Sequence, residues 1–303
     1  MDRLKVNKTM NKAYKYRLYP TEEQAEQFKK TFGCVRFIYN RMLTDKIEHY
    51  KTTGEPVLTV TPAKYKKEYG FLREVDSLAL ANAQRHLETA YKRYFGGAGF
   101  PRFKKRNERE SYTTNSVNGN IRVGERHIRL PKTGEVRLKK HREIPEGYAV
   151  KSATVSRDVT GKYHVSVLCE YEKLAEAAEV KKRVELSATE EPAELSASRR
   201  RSEAELKKLK RELGRMEKGS ANWVKQQRRL AEARVRAADR RSDALHKETK
   251  RLAEEYDLVE VRESEGEPTA ESWGMFVGLL KYKLEDRGKY LVKPDKEDKQ
   301  ESP

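Results

Sequence analysis

Residues 12–19, KAYKYRLY, place Tyr14, Tyr16 and Leu18 on one side of an extended chain and Lys15, Arg17 and Tyr19 on the other. Period two with one apolar face predicts a half-buried strand, and Pro20 ends it. Thr21 follows as an N-cap. Glu22 and Glu23 fill the first turn and Gln24 stands at the third helical position, which completes a capping box. Helical spacing then runs through Phe28, Phe32, Val35, Phe37, Ile38, Leu43 and Ile47 to Tyr50, although Gly33 weakens the case for an unbroken helix. A loop with Gly54 and Pro56 leads to a second helical region near Pro62, which resumes over Ser77–Phe95. In that last segment Leu78, Ala81, Leu87, Ala90, Tyr91 and Tyr94 are expected to form the apolar face, and Gly96 and Gly97 stop it.

From 111 to 170 the period returns to two, in short runs separated by Gly119, the Pro131–Gly134 turn and the Pro145–Gly147 turn. The strongest hairpin signal is SATVSRDVTGKYHVSVLCE, with its turn at Asp158–Gly161. Many short strands, one of them ahead of a helical insertion, predict a small mixed barrel. Beyond residue 199, Leu206, Leu209, Leu213 and Met216 repeat at helical spacing until Gly219 and Ser220, and Asn222 is expected to cap a second long helix reaching Tyr256. In the strand that follows, 257–264, Val259 and Val261 share one face and Leu258, Glu260 and Arg262 the other. Two charges on one strand face require solvent, a partner or another charge beside them. Pro268–Leu284 reads as an amphipathic helix capped by Thr269 and buried through Trp273, Phe276, Val277, Leu280 and Leu284; Tyr290–Val292 reads as a last short strand, and 294–303 as a disordered tail.

The 303 residues carry 66 lysines and arginines against 48 acids, a net +18. Of this excess, +11 falls in residues 1–110, +3 in 111–180 and +4 in 181–303. No run of 18 apolar residues and no apolar leader is present, which excludes a membrane-spanning helix and a signal peptide as readings. With two cysteines, Cys34 and Cys169, neither a disulfide framework nor a four-cysteine zinc site can be built, and a reducing cytoplasm is expected. The basic residues interleave with rings at Tyr14–Tyr19, Tyr91–Phe95 and Phe100–Lys105, a combination suited to phosphate and base contact. Lys104, Lys105 and Arg106, and Lys139, Lys140 and Arg142, form compact patches after an aromatic segment and a strand, and are the expected nucleic-acid phosphate contacts.

Read as ordered text, KAYKYRLYPTEEQAEQFKKTFGCVRFIYNRML, Ser77–Phe95 with GFPRFKKR, IRLPKTGEVRLKKH, ATVSRDVTGKYHVSV, the helical hairpin and ESWGMFVGLLKYKLEDRGK resemble TnpB, the transposon-encoded RNA-guided DNA endonuclease family related to the type V CRISPR effectors. The resemblance spans about residues 11–293. It implies a mixed α/β multidomain fold: a wedge-type β-barrel from 1–19 and 111–180, inserted recognition helices over 20–110, and a truncated RuvC-like RNase H-fold domain over 181–293.

Family members hold catalytic metal with three carboxylates. The resemblance aligns Glu185, in VELS, with the first, and Arg262, in VRE, with the second; Glu263 turns to the opposite strand face, and Asp295 precedes the region where the family has a zinc ribbon and a third aspartate. Arginine is a cation with no lone pair for Mg²⁺. The resemblance therefore implies a non-enzymatic, nuclease-dead protein with no catalytic cofactor and no bound metal. Its expected action is RNA-guided DNA binding that represses transcription by occupying a promoter. The implied partners are a structured guide RNA and double-stranded DNA with a short flanking motif, engaged by a monomer in the cytoplasm at the nucleoid. The expected DNA readers are Tyr39, Asn40, Arg41, Tyr50, Thr52 and Thr53, complemented by Asn82 and Arg85. A decayed transposon nuclease with residual RNA affinity and a guide-independent nucleic-acid scaffold are the competing readings.

Overall fold

The structure is a computed structural model that describes residues 6–55, 61–106, 110–175, 179–187, 193–262 and 270–293. The expectations for Pro56, Glu263, Pro268, Thr269, Asp295 and the 294–303 tail lie outside the described residues. The chain divides into two compact units, 11–171 and a second formed by 1–10 with 172–303.

Strand β1 (Val6–Tyr19), which enters the first unit at residue 11, buries Tyr14, Tyr16 and Leu18 there, as its alternation requires. Thr21 starts helix α1 (Glu22–Thr53) with the expected capping box: Gln24 N–H donates to Thr21 Oγ1 at 3.3 Å and Thr21 N–H to Gln24 Oε1 at 3.1 Å. Gly33 does not break the helix. Its cost of about 1 kcal/mol is outweighed by the buried stripe of Phe28, Phe32, Val35, Ile38, Met42 and Leu43 on either side of it. Gly54, at φ 72°, ends the helix in the left-handed conformation that glycine adopts without strain.

Helix α2 (Pro62–Glu68) and a 3₁₀ turn (Gly70–Arg73) lead to helix α3 (Ser77–Phe95). Its buried face is Ala79, Leu80, Ala83 and Leu87; of the expected stripe Leu87 is buried and Tyr91 packs on the core, whereas Leu78 and Ala81 are only half-buried, a rotation at the helix start. The rotation follows from Asp76. This buried carboxylate caps the helix by accepting from Leu78 N–H at 3.1 Å and also accepts from the Thr114 hydroxyl at 2.5 Å, which fixes α3 against strand β2 (Glu110–Asn115). Asn82 strengthens the same seam, its Nδ2 donating to the carbonyls of Leu78 and Thr113.

Strands β3 (Arg122–Val123), β4 (His127–Leu130), β5 (Gly134–Lys139), β6 (Ala149–Arg157) and β7 (Tyr163–Ala175) complete a seven-stranded sheet in the order β2-β6-β7-β1-β5-β4-β3. The sheet is a curled antiparallel half-barrel with β2 and β3 at its edges, an open form of the expected barrel. The β6/β7 hairpin turns at Asp158–Gly161 as its sequence predicts. One continuous core joins the inner sheet face to α1 and α3; Phe28 packs its ring 5.6 Å from Tyr163 and 6.3 Å from Tyr112.

In the second unit, β8 (Arg183–Ser187), β9 (Leu258–Arg262) and β10 (Tyr290–Val292) form a parallel sheet ordered β10-β9-β8. Helices α4 (Ala193–Gly214) and α5 (Ala221–Glu255) make the hairpin between β8 and β9, and α6 (Ala270–Glu285) separates β9 from β10. Ser220, not Asn222, caps α5, because its hydroxyl accepts from Trp223 N–H at 3.2 Å. Leu245, Leu252, Val259, Val261, Phe276, Leu280 and Leu284 form this unit's core. Among the described residues no helix is long and apolar enough to cross a membrane.

Lys283 is buried in this unit with its ammonium donating to the His246 carbonyl at 2.6 Å and to Thr249 Oγ1 at 2.7 Å. Burial, then the nearby cations Arg287 and Lys250, push its pKa down from 10.5 to about 8, against a smaller upward pull from Glu254. Between those two values the unfolded chain binds more protons at this site than the folded one, so folding stability rises with pH from about 8 to 10.5 and this contribution is flat below. We expect Lys283→Met to remove that rise in urea denaturation series. An identical pH slope in the variant would contradict the assignment.

Candidate nucleic-acid interface

The sheet of the first unit buries Leu18, Val136, Leu138, Ile128 and Leu130, so the intervening residues of β1, β5 and β4 must face outward. Register then decides which of them meet. Arg17 lies opposite Lys139 and Tyr19 opposite Arg137 across β1/β5. Arg137 lies opposite His127, and Arg129 opposite Glu135, across β4/β5; Arg122 faces Arg129 on β3. Strands are about 4.8 Å apart. A band of arginines and one lysine, diluted by a single carboxylate at Glu135, thus crosses four strands. Tyr19 sits between two of these cations, 5.5 Å from the Arg17 guanidinium and 5.8 Å from that of Arg137.

Like charges directly opposite each other destabilise a sheet. Arg17 with Lys139 and Arg122 with Arg129 are two such pairs, and a polyanion laid across the face relieves both. Of this band, Lys139 and, within the Tyr14–Tyr19 cluster, Arg17 stand in local basic patches of the sequence. Arg122, Arg129 and Arg137 lie outside those patches and join the two through strand pairing.

The remaining expected RNA contacts fall into two settings. Lys105 and Arg106 are exposed, whereas Lys104 is half-buried, its ammonium 4.2 Å from the centre of the Tyr39 ring. The Lys140 ammonium pairs with Glu143, and the Arg142 carbonyl accepts from the Tyr16 hydroxyl at 2.8 Å while its side chain is exposed.

The expected DNA readers are not one surface. Tyr39 is in the core. Asn40 clasps a backbone: its Nδ2 donates to the Lys104 carbonyl at 3.0 Å and its Oδ1 accepts from Lys104 N–H at 2.8 Å. Arg41 pairs with Asp45 at 3.2 Å, and Asn82 is buried in the α3/β2 seam. Thr52 and Thr53 are exposed, but their hydroxyls donate to the carbonyls of Glu48 and His49 one turn back. Tyr50 and Arg85 present exposed side chains.

In the second unit, parallel pairing sets Glu185 opposite Glu260 and Ser187 opposite Arg262. Arg262 Nε lies 3.0 Å from Glu185 Oε1 and 3.3 Å from Glu260 Oε1. The charged face of β9 is therefore compensated by a cation between two carboxylates, and all three side chains reach solvent. Among the described residues no group of three or more histidines, cysteines or acids is placed to hold a metal ion.

Two family models match the chain, a helix-turn-helix domain over residues 10–55 and a probable transposase over 184–263. A relative from Streptomyces pristinaespiralis, named as an RNA-guided DNA endonuclease, is 35% identical over 274 residues, covering 84% of this chain and 67% of its own. The chain belongs to this TnpB/IS605 family of RNA-guided DNA endonuclease relatives. The InsQ protein of Escherichia coli K12, named in the same way, is 28% identical over 269 residues, covering 83% of this chain and 65% of InsQ. The chain thus spans about two thirds of the length of these curated relatives. Among solved structures, a Cas12f1 complex with sgRNA and target DNA aligns with a TM-score of 0.59 at 10% identity, over 94% of this chain and 89% of that one, a likeness of fold.

These comparisons correct the expectation of a non-enzymatic protein. Both relatives are named as endonucleases and the second family model describes a transposase, so the family is one of enzymes. The pairing of Arg262 with Glu185 and Glu260 is a local feature of the sheet and does not change that membership.

The facing cations of β1 and β5 bear on stability. Lys139→Gln removes the cation facing Arg17 and leaves the core untouched, so it is expected to stabilise the first unit by about 0.2–1 kcal/mol at low salt. The gain should shrink in 1 M salt, where the screening length falls to about 3 Å. Urea denaturation at the two salt concentrations checks this; a loss of stability that persists in high salt would contradict it.

Proposed function

We propose that the chain binds a structured guide RNA and is directed by it to double-stranded DNA carrying a short flanking motif, where occupancy of a promoter represses transcription. The observation that carries the reading is the cation band of Arg17, Lys139, Arg137, Arg129 and Arg122, held in register although two of its pairs repel. A rigid array of this kind tracks phosphates without reading bases, which is what holding an RNA of variable guide sequence requires. Lys104, Lys105, Arg106, Lys140 and Arg142 extend the RNA-binding surface. Kinship with proteins named as RNA-guided, and the fold shared with a protein solved with sgRNA and target DNA, support the same partners.

In this reading the exposed members of the α1 and α3 set, Tyr50, Thr52, Thr53 and Arg85, approach the flanking motif, while Asn40 and Asn82 hold backbone in place behind them. Residues 181–293 are a reduced RuvC-like domain in which Arg262 engages Glu185 and Glu260. One protein molecule serves one RNA, at the nucleoid. Promoter occupancy is the output assigned to the complex.

Binding to three duplexes tests the proposal: target with motif, target alone and motif alone, each offered to the protein loaded with its guide. Tight binding is expected only when target and motif occur together, with transcription from a promoter containing both falling while the DNA stays full length. Equal affinity for all three would overturn guidance in favour of a nonspecific scaffold, and guide-dependent scission would replace occupancy with the relatives' cutting activity.

A further inference from the structure

The end of α3 and the segment after it expose an aromatic cluster that the cation band does not include. Phe95 is 78% exposed, Phe103 48%, Phe100 46% and Tyr94 40%. Four exposed rings within ten residues are a large apolar area to leave in water. Between Tyr91 and Arg106 the chain has six lysines and arginines and no acid.

The cluster is held in place. α3 ends with Gly97 at φ 92°, and the N–H groups of Gly97 and Ala98 donate to the carbonyls of Tyr94 and Arg93, which turns the chain back on itself. Phe100 returns edge-on to the helix end, its ring centre 5.2 Å from Tyr94 at 81° and 5.9 Å from Tyr91 at 85°. Phe95 joins through Tyr94, 5.4 Å away at 54°. Pro101 is buried, and three residues later the Asn40 clasp and the Tyr39 ring fix Lys104, so Phe103 leaves a pinned backbone. A pinned ring loses little freedom when a planar partner stacks on it.

We infer that Tyr94, Phe95, Phe100 and Phe103 are a stacking platform for unpaired nucleobases of a single-stranded nucleic acid whose phosphates meet Lys92, Arg93, Arg102 and Lys105. The inference rests on the nucleic-acid reading proposed above and adds the strand state of the ligand at this site. A duplex turns its base faces inward against each other and offers a ring nothing to stack on, whereas every unpaired base has a free π-face. The charge argues for the same occupant, because six cations without an acid favour a ligand that alternates planar rings with phosphates. Asn40 acts here as a positioning residue, through the backbone of Lys104.

The probes are a uridine dodecamer and an abasic strand of the same length, which keeps the phosphates and lacks the bases. With the full chain, Phe95→Ala and Phe103→Ala are each expected to weaken dodecamer binding about fivefold or more. Abasic-strand affinity should not change, and the salt dependence of dodecamer binding should stay as it is, since no phosphate contact is lost. Phe95→Trp should restore dodecamer affinity to the original level or above. Because both rings are exposed, folding should be unaffected, with unchanged thermal unfolding as the control. Equal wild-type affinity for the two strands, unchanged dodecamer affinity in both alanine variants, or equal losses on the two strands would overturn the platform and leave RNA guidance standing. No wild-type binding to either strand would overturn both.

Discussion

The strand register of the first unit is the constraint from which its surface chemistry follows. Leu18 opposite Leu138, and Ile128 opposite Val136, pair on the inner face. A slip of one residue would turn these apolar groups to water and carry Arg17, Arg137 and Arg129 into the core. Burial of an unpaired guanidinium costs several kcal/mol, far more than the repulsion of about 1 kcal/mol or less between facing cations in solvent. The core therefore fixes the register, and the register forces like charges together on the outer face. The basic surface is a consequence of folding that nucleic acid can exploit, and it exists before any ligand arrives.

Features set by neighbouring residues are legible in the sequence, and features set by pairing between elements are not. Local chemistry was readable: the alternation of β1, the Thr21 to Gln24 capping box, the turn at Asp158–Gly161 and the two faces of β9 all depend on residues within a few positions of each other. The start of the α3 face was not, since Ala79, Leu80 and Ala83 turn inward beside the buried Asp76 to Thr114 hydrogen bond, whose partners lie on different elements. Asn222 was an acceptable cap by composition, but the helix starts two residues earlier and Ser220, read as part of the break, caps it. Among the site residues, Asn40 carries a polar side chain suited to base contact, yet the fold uses it to hold the backbone of Lys104. The cation band required strand pairing, which no single stretch of sequence specifies.

In the second unit one arginine sets a local electrostatic arrangement. Parallel pairing brings Glu185 and Glu260 side by side, and two facing carboxylates repel unless a cation stands between them. Arg262 supplies that cation from within the chain, through Nε, to both. Since the three groups are substantially exposed, the arrangement adds little to stability.

The central claim is that the basic face holds one particular RNA, and sequencing the RNA that copurifies with the full chain tests it most directly. The account predicts one discrete structured species with a constant scaffold and a guide end matching chromosomal DNA, lost when Arg17, Arg129 and Arg137 are replaced together by glutamine. Bulk cellular RNA without a common scaffold, or the discrete species retained in the triple variant, would contradict it.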